Sequence, residues 1–397
     1  MPIASVLHIL RTVKDKGGIS RTDLQQVTGL SWGTITNTTR ELLNRKLIRE
    51  EGAMATKAGR KPVQLALNPS GHSLIGVDIR MDALRCLVMN LAGEELWHEE
   101  LALTVGESPE TIVQHVAEMV RRALSSSTLV SRNSMGIGVA VPGILDATRS
   151  IVHDGGHGSP WRDVPLREML EAKLTSLGLG GQTVRLELHT NCLSTAERWF
   201  GEACQTEDVL CVHLGRTVCL GVVAGGDIFR GSQGAAGEFG HVTVDPQGPA
   251  CVCGKRGCVD IYAGAPAILE YARNKATGDD PAARATSVAA LAELASAGNA
   301  AAIETFAHMG RHLGVGITNL IELFNPGLVV LAGPSTVGHA HFIPVLEKEI
   351  ARVWRPETTR KVVVSQLGER AAAMGACGVV LQAAFEHDAI VRPSLTA

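Results

Sequence analysis

Apolar residues recur with helical spacing through the first forty-five positions, and then the period changes. Val6, Leu7, Ile9, Leu10 and Val13 predict an amphipathic first helix, which Gly17-Gly18 ends. Ser20 is placed to cap a second helix, Arg21 to Val27, with Leu24 and Val27 inward. Gly29 turns the chain, and Ser31 is placed to cap a third helix from Trp32 to about Arg45, with Ile35, Leu42 and Leu43 on its inner face. Beyond it, Leu47 to Glu50 and the alternating Val63 to Leu67 flank a polar hairpin tip, Gly52 to Gly59, and Gly59 and Pro62 make a helix there costly. Three helices and a hairpin over residues 1–70 predict a winged helix-turn-helix.

From residue 71 onward the pattern predicts an α/β body. Strands are expected at Ser73 to Val77, Ala83 to Met89, Glu95 to Leu103, Met135 to Val141, Val184 to Leu188, Val209 to Leu214, Cys219 to Ala224, Leu328 to Leu331 and Lys361 to Val364. Helices are expected from Pro109 to about Ser125, Cys192 to Phe200, Ala265 to Tyr271, Thr286 to Ser296, Ala301 to Phe324, near Phe342, and Arg370 to Glu386. Several of the strands are apolar throughout, as parallel buried strands are. The order fits a two-lobed, actin-like or sugar-kinase-like body, with lobes at 71–184 and 185–397, although no sequence repeat between the halves is visible.

Charge separates the head from the body. Residues 1–70 carry eleven Lys or Arg against five Asp or Glu, net +6, while the remainder carries 26 against 35, net −9. Only the head is therefore suited to a polyanion. The exposed early positions of the third helix, Trp32, Thr34, Thr36 and Asn37, are placed to reach base edges of double-stranded DNA. Arg40 and Ser31 are placed to hold phosphate, and Lys57, Arg60 and Lys61 to touch phosphate or the minor groove. A small helical protein-interaction module is the other reading of the same pattern.

The stretch from Gly237 to Asp260 carries the most specific chemistry. His241, Cys251, Cys253 and Cys258 fall within eighteen positions, with Gly254 and Gly257 between the last two cysteines. Three thiolates and an imidazole can fill a tetrahedron around a structural Zn²⁺ and leave no position open for water. Of nine cysteines, the six outside this loop sit among apolar residues and read as buried free thiols of a reducing cytoplasm. No apolar run reaches the length of a membrane span, and the N-terminus lacks a signal-peptide layout.

Four motifs carry a resemblance that covers nearly the whole chain: 136–143 (GIGVAVPG), 161–166 (WRDVPL), 237–241 (GEFGH) and 251–258 (CVCGKRGC). The chain resembles the ROK family of bacterial repressors, open reading frames and sugar kinases. Its N-terminal head places it with the sugar-responsive repressors of the Mlc, NagC and XylR type. The resemblance implies a sugar or sugar-phosphate site at His189, Asn191, Glu238, His241 and Asp260, with His153, Asp154, His157 and Arg162 in loops near its mouth. It also implies a homodimer or homotetramer that reads an inverted-repeat operator. The family kinases use an Asp-x-Gly-x-Thr phosphate loop, which here reads Asp78-Ile79-Arg80-Met81-Asp82. Their Gly-Thr-Gly turn reads Gly215-Arg216-Thr217, and their Asn-Asp pair reads Leu188-His189. All three departures point away from phosphotransfer. The expected function is thus a DNA-binding regulator, most often a repressor, of carbohydrate genes without kinase activity. A sugar kinase with a DNA-binding head and a regulator sequestered by a protein partner are the alternatives.

Overall fold

In the computed structural model the described residues are 3–52, 55–56, 59–60, 62–126, 133–156, 159–204, 206–352 and 361–391. They form two compact units, 1–199 with 372–397, and 200–371.

The head begins the first unit. Its helices span Ile3–Lys16, Arg21–Thr28 and Trp32–Asn44. Ile9, Leu10, Val13, Leu24, Ile35, Leu42 and Leu65 are wholly buried in its core. Ser20 caps the second helix by accepting from Asp23 N (3.2 Å), and Ser31 caps the third by accepting from Thr34 N (3.2 Å). The chain between them turns at Gly29, whose φ of +67° is left-handed. Two expectations fail here. Val27 is 53% exposed, because the eight-residue helix buries only Leu24 and unwinds into the Gly29 turn. Thr38 and Thr39 complete the inner face of the third helix, while Leu43 is only partly buried. Behind the helices lie Ile48–Glu51 and Gln64–Leu67, paired antiparallel, with Ile19–Ser20 added on the far edge.

The rest of the first unit is built on a five-stranded sheet in the order Val184–Leu188, Asn133–Val141, His72–Ile79, Ala83–Asn90, Glu95–Ala102. The first three run parallel, and the last two continue as an antiparallel meander. The second unit repeats this order with Lys361–Val364, Leu328–Ala332, Val209–Leu214, Val218–Ala224 and Asp227–Ile228, again three parallel strands followed by a meander. The repeat that residue identities conceal is therefore present in the topology.

The closing helix Ala371–Val391 belongs to the first unit. A Cβ at Gly76 would meet Ala373 O at 1.9 Å, and one at Gly138 would meet Ala376 O at 2.0 Å. Glycine on two adjacent strands lets this helix lie directly on the sheet. The sequence reading missed a small sheet, Ile144–Asp146, Ile151–Asp154 and Arg162–Val164, and the helix Leu166–Ser176. Leu166, Leu170 and Leu174, all buried, carried the helical period that could have revealed that helix. Cys204 and Cys219, expected to be buried, are of intermediate exposure, Cys204 in a turn and Cys219 in the strand Val218–Ala224.

Candidate nucleic-acid interface and candidate metal centre

The third head helix shows one face to solvent. Ser31, Trp32, Asn37 and Arg40 are exposed, and Thr34 and Thr36 partly so. Trp32 is 49% exposed, although burying an indole is normally favourable, so its place at the start of this helix calls for a partner. Arg40 Nη1 donates to Asn37 Oδ1 (3.4 Å), and Ser31 Oγ lies 2.9 Å from Thr34 Oγ1. Arg21 braces the helix pair by donating from Nε to Thr39 Oγ1 (3.1 Å) and from Nη2 to Glu50 Oε1 (3.0 Å). This brace, which the sequence did not reveal, fixes the third helix against both the second helix and the wing strand. Lys57, Lys61 and the side chain of Arg60 lie outside the described residues, as does His157.

The second unit gathers His241, Cys251, Cys253 and Cys258, and their donor atoms all lie within 4.8 Å of one another. Cys251 Sγ is 3.7 Å from His241 Nδ1, and Cys253 Sγ is 3.7 Å from Cys258 Sγ. A tetrahedron with metal–sulfur bonds of about 2.3 Å and a metal–nitrogen bond of about 2.0 Å has edges of about 3.5–3.8 Å. The cluster is thus close to closing around a metal ion. Cys258 is wholly buried, and burial pushes its thiol up to about 12, with the neighbouring thiols adding to the shift. A cation is what would hold that sulfur as thiolate. The exposed Cys253 has its thiol held below the usual range, first by a hydrogen bond from the Lys255 backbone.

The loop is shaped by its own backbone. Cys251 N donates to Lys255 O (2.8 Å), Gly257 N to Pro249 O (2.9 Å) and Val244 N to Gly257 O (2.8 Å). Gly254 and Gly257 have φ of +88° and +60°, as expected of residues that fold the chain back. Tyr262 buttresses the loop from beneath by donating to Asp245 Oδ2 (3.0 Å).

The residues that the family resemblance assigned to a sugar are divided between the units. His189 and Asn191 belong to the first, and Glu238, His241 and Asp260 to the second. The helix expected from Cys192 starts at His189 instead, because Glu187 Oε1 receives both Leu188 N (3.0 Å) and Asn191 Nδ2 (2.8 Å) and so organises the first turn. His189 Nδ1 lies 2.8 Å from Oδ1 of the fully buried Asp78. Both stand at the C-terminal ends of parallel strands, where open α/β sheets present ligand-facing groups. Asp260 Oδ1 accepts from Val218 N (2.7 Å), and Glu238 is exposed. His153, Asp154 and Arg162, expected in loops, stand instead on the small sheet, in the strands Ile151–Asp154 and Arg162–Val164, where Asp154 and Arg162 are cross-strand partners. His153 Nδ1 lies 2.6 Å from Asp163 Oδ1, and Arg162 Nη1 lies 3.5 Å from Asp154 Oδ1.

The two kinase-type phosphate turns occupy equivalent hairpins, between the third and fourth strands of each sheet in the orders given above. In the first, Arg80 Nε faces Asp82 Oδ1 at 3.4 Å, and Asp78 is engaged by His189. A side chain and a second carboxylate thus stand where nucleotide phosphates need bare backbone and a hydroxyl.

Residues 74–383 match the ROK family, and residues 5–49 match the winged helix-turn-helix DNA-binding family. The chain belongs to the ROK family. Its sequence is 28% identical to the xylose repressor of Bacillus subtilis over 375 residues, covering 94% of each chain. It is 27% identical to the DNA-binding transcriptional dual regulator NagC of Escherichia coli over 387 residues, covering 94% of this chain and 91% of the other. The crystal structure of a ROK family transcriptional regulator, a homologue of the E. coli Mlc protein, superposes with a TM-score of 0.79 over 96% of both chains at 23% identity, a likeness of fold. With its DNA-binding head and ROK body, the chain is a DNA-binding transcriptional regulator of the family rather than one of its kinases. Among the described residues, no helix is long and apolar enough to cross a membrane.

Proposed function

We propose that this regulator represses genes of carbohydrate uptake or metabolism, and that a sugar or sugar phosphate bound by the body changes its affinity for an inverted-repeat operator. The observation that carries this reading is the joining of a winged head to a ROK body along nearly the whole length of repressors named for xylose and N-acetylglucosamine. In this reading Trp32, Thr34, Thr36 and Asn37 read base edges, while Ser31, Arg40, Lys57, Arg60 and Lys61 hold phosphate or the minor groove. His189, Asn191, Glu238, His241 and Asp260 supply the polar groups for the sugar, and a homodimer or homotetramer sets the spacing of two heads on DNA.

The metal is Zn²⁺, by the chemistry of the donor set: soft thiolates with one imidazole and no open position. It would be held by His241, Cys251, Cys253 and Cys258, and it would fix the loop that carries Glu238. The test is duplex binding by the full-length protein, using DNA from its own upstream region at fixed salt, titrated with D-xylose, N-acetylglucosamine and their phosphates. A severalfold shift by one compound supports the reading. Tight duplex binding that none of the compounds moves removes the sugar from it.

A further inference from the structure

Two rigid elements of the first unit begin at the Asp78–His189 pair, and both end on the DNA-binding head. The strand His72–Ile79 holds Asp78 near its C-terminal end. At its other end, His72 Nε2 lies 2.7 Å from the carbonyl oxygen of Arg45, the C-cap of the third head helix. The acceptor is a carbonyl, so the ring donates from Nε2. The helix His189–Phe200 starts at His189, and near its far end the Trp199 ring carries the Arg11 guanidinium 4.8 Å from its centroid. Arg11 lies in the first head helix. The strand segment spans about 20 Å at roughly 3.3 Å per residue, and the helix segment about 15 Å at roughly 1.5 Å per residue.

Neither element has room to yield. The closing helix presses on the strand at Gly76, as described above, and on the helix at two further points. A Cβ at Gly375 would meet Cys192 O at 1.7 Å, and one at Gly378 would meet Thr195 Cγ2 at 2.7 Å. The closing helix itself reaches the head, where Arg45 Nη1 donates to Ala384 O (3.5 Å). A close-packed assembly passes a displacement on rather than absorbing it. The pair at its origin is energetically sensitive, because Asp78 is fully buried and its Oδ2 has no hydrogen-bond partner among the described residues.

We propose that the Asp78–His189 pair is the coupling point between body and head, with Asp78 as a positioning residue. A polyhydroxyl or phosphorylated sugar that engages His189 displaces the pair. The strand then moves the His72–Arg45 contact, and the helix moves the Trp199–Arg11 contact. This rests on the reading that the head binds an operator and the body binds a sugar, but the test needs DNA alone.

The full-length protein is first used to select a duplex from random DNA. Affinity for that duplex is then measured at fixed salt for Asp78→Asn, His72→Ala and the double variant. Sites this far apart combine independently to within about twofold unless something couples them. The expected result is a departure of about fivefold or more from independent combination, the lower end of allosteric coupling. Combination within about twofold overturns the proposal and leaves the DNA-binding reading intact, whereas failure of the wild-type chain to select any duplex overturns both. Should Asp78→Asn fail to fold, amide hydrogen exchange on the wild-type protein decides instead. Coupling is reciprocal, so duplex binding must change exchange at residues 186–195 as well as at 33–47. Unchanged exchange at 186–195 overturns the proposal.

Discussion

Replacing Gly257 by alanine should empty the metal centre while leaving all four ligands in the sequence. A Cβ at this position would sit 1.5 Å from the backbone oxygen of Asp245, a distance that no flexible side chain can relieve. Reaching the 3.0 Å that real Cβ contacts respect requires a backbone movement of about 1.5 Å next to Cys258. Metal–ligand bonds tolerate only about 0.2 Å, so the Cys258 sulfur leaves the tetrahedron. The displacement also breaks the 2.9 Å bond from Gly257 N to Pro249 O and the 2.8 Å bond from Val244 N to Gly257 O, which shape the loop. Gly254→Ala is the control. Its φ of +88° strains alanine by about 1–2 kcal/mol, but nothing lies within 4 Å of the new methyl group, so the metal stays. Metal per chain, measured by plasma mass spectrometry after gel filtration, should fall from about one to near zero for Gly257→Ala and stay near one for Gly254→Ala. Full metal content in Gly257→Ala, with an unchanged melting temperature, would refute the reasoning.

Further outcomes follow from the same geometry. Asn37→Ala should weaken duplex binding by about 1–3 kcal/mol and relax selection at a single base pair, whereas Arg40→Ala should weaken all duplexes alike and lower the salt slope by about 0.9; equal loss across sequences for Asn37→Ala would sink the base-reading assignment. Gly138→Ala forces the closing helix off the first sheet, since its Cβ would lie 2.0 Å from Ala376 O, and should destabilise by about 1–3 kcal/mol in urea unfolding; a midpoint unchanged from wild type would count against that packing. His308 is held down to about 4, first by burial and then by His312 and Arg311. Its folded value is lower than its unfolded one, so the unfolded chain takes up the proton first, and stability falls as pH drops from about 6.5 towards 4. His308→Gln should flatten that slope in unfolding titrations, modestly because the ring is only half-buried; parallel slopes would remove His308 as a contributor.

The metal cluster was legible because His241, Cys251, Cys253 and Cys258 are close in sequence, and short loops with glycines leave few ways to arrange them. The head was legible for a similar reason. Its capping residues Ser20 and Ser31, its turn at Gly29 and its helical period all act within a few residues of one another. Where local signals were weak, as in the short strands at 144–164, the reading passed over real elements, because strands of three or four residues owe their existence to their neighbours.

Local chemistry by itself thus determined the winged head and the four-residue His/Cys cluster able to hold a metal, and the family resemblance marked Arg80 as standing where the kinases' phosphate loop has glycine. Tertiary structure decided the rest. It revealed that the two sheets share one strand order, that the last helix packs on the first sheet through Gly76 and Gly138, and that Asp78 meets His189 across 111 positions of chain. The physical reason is range. Capping, turns and side-chain period are fixed by neighbours along the chain, whereas a buried aspartate–histidine contact or a helix resting on bare backbone exists only once distant segments have been brought together.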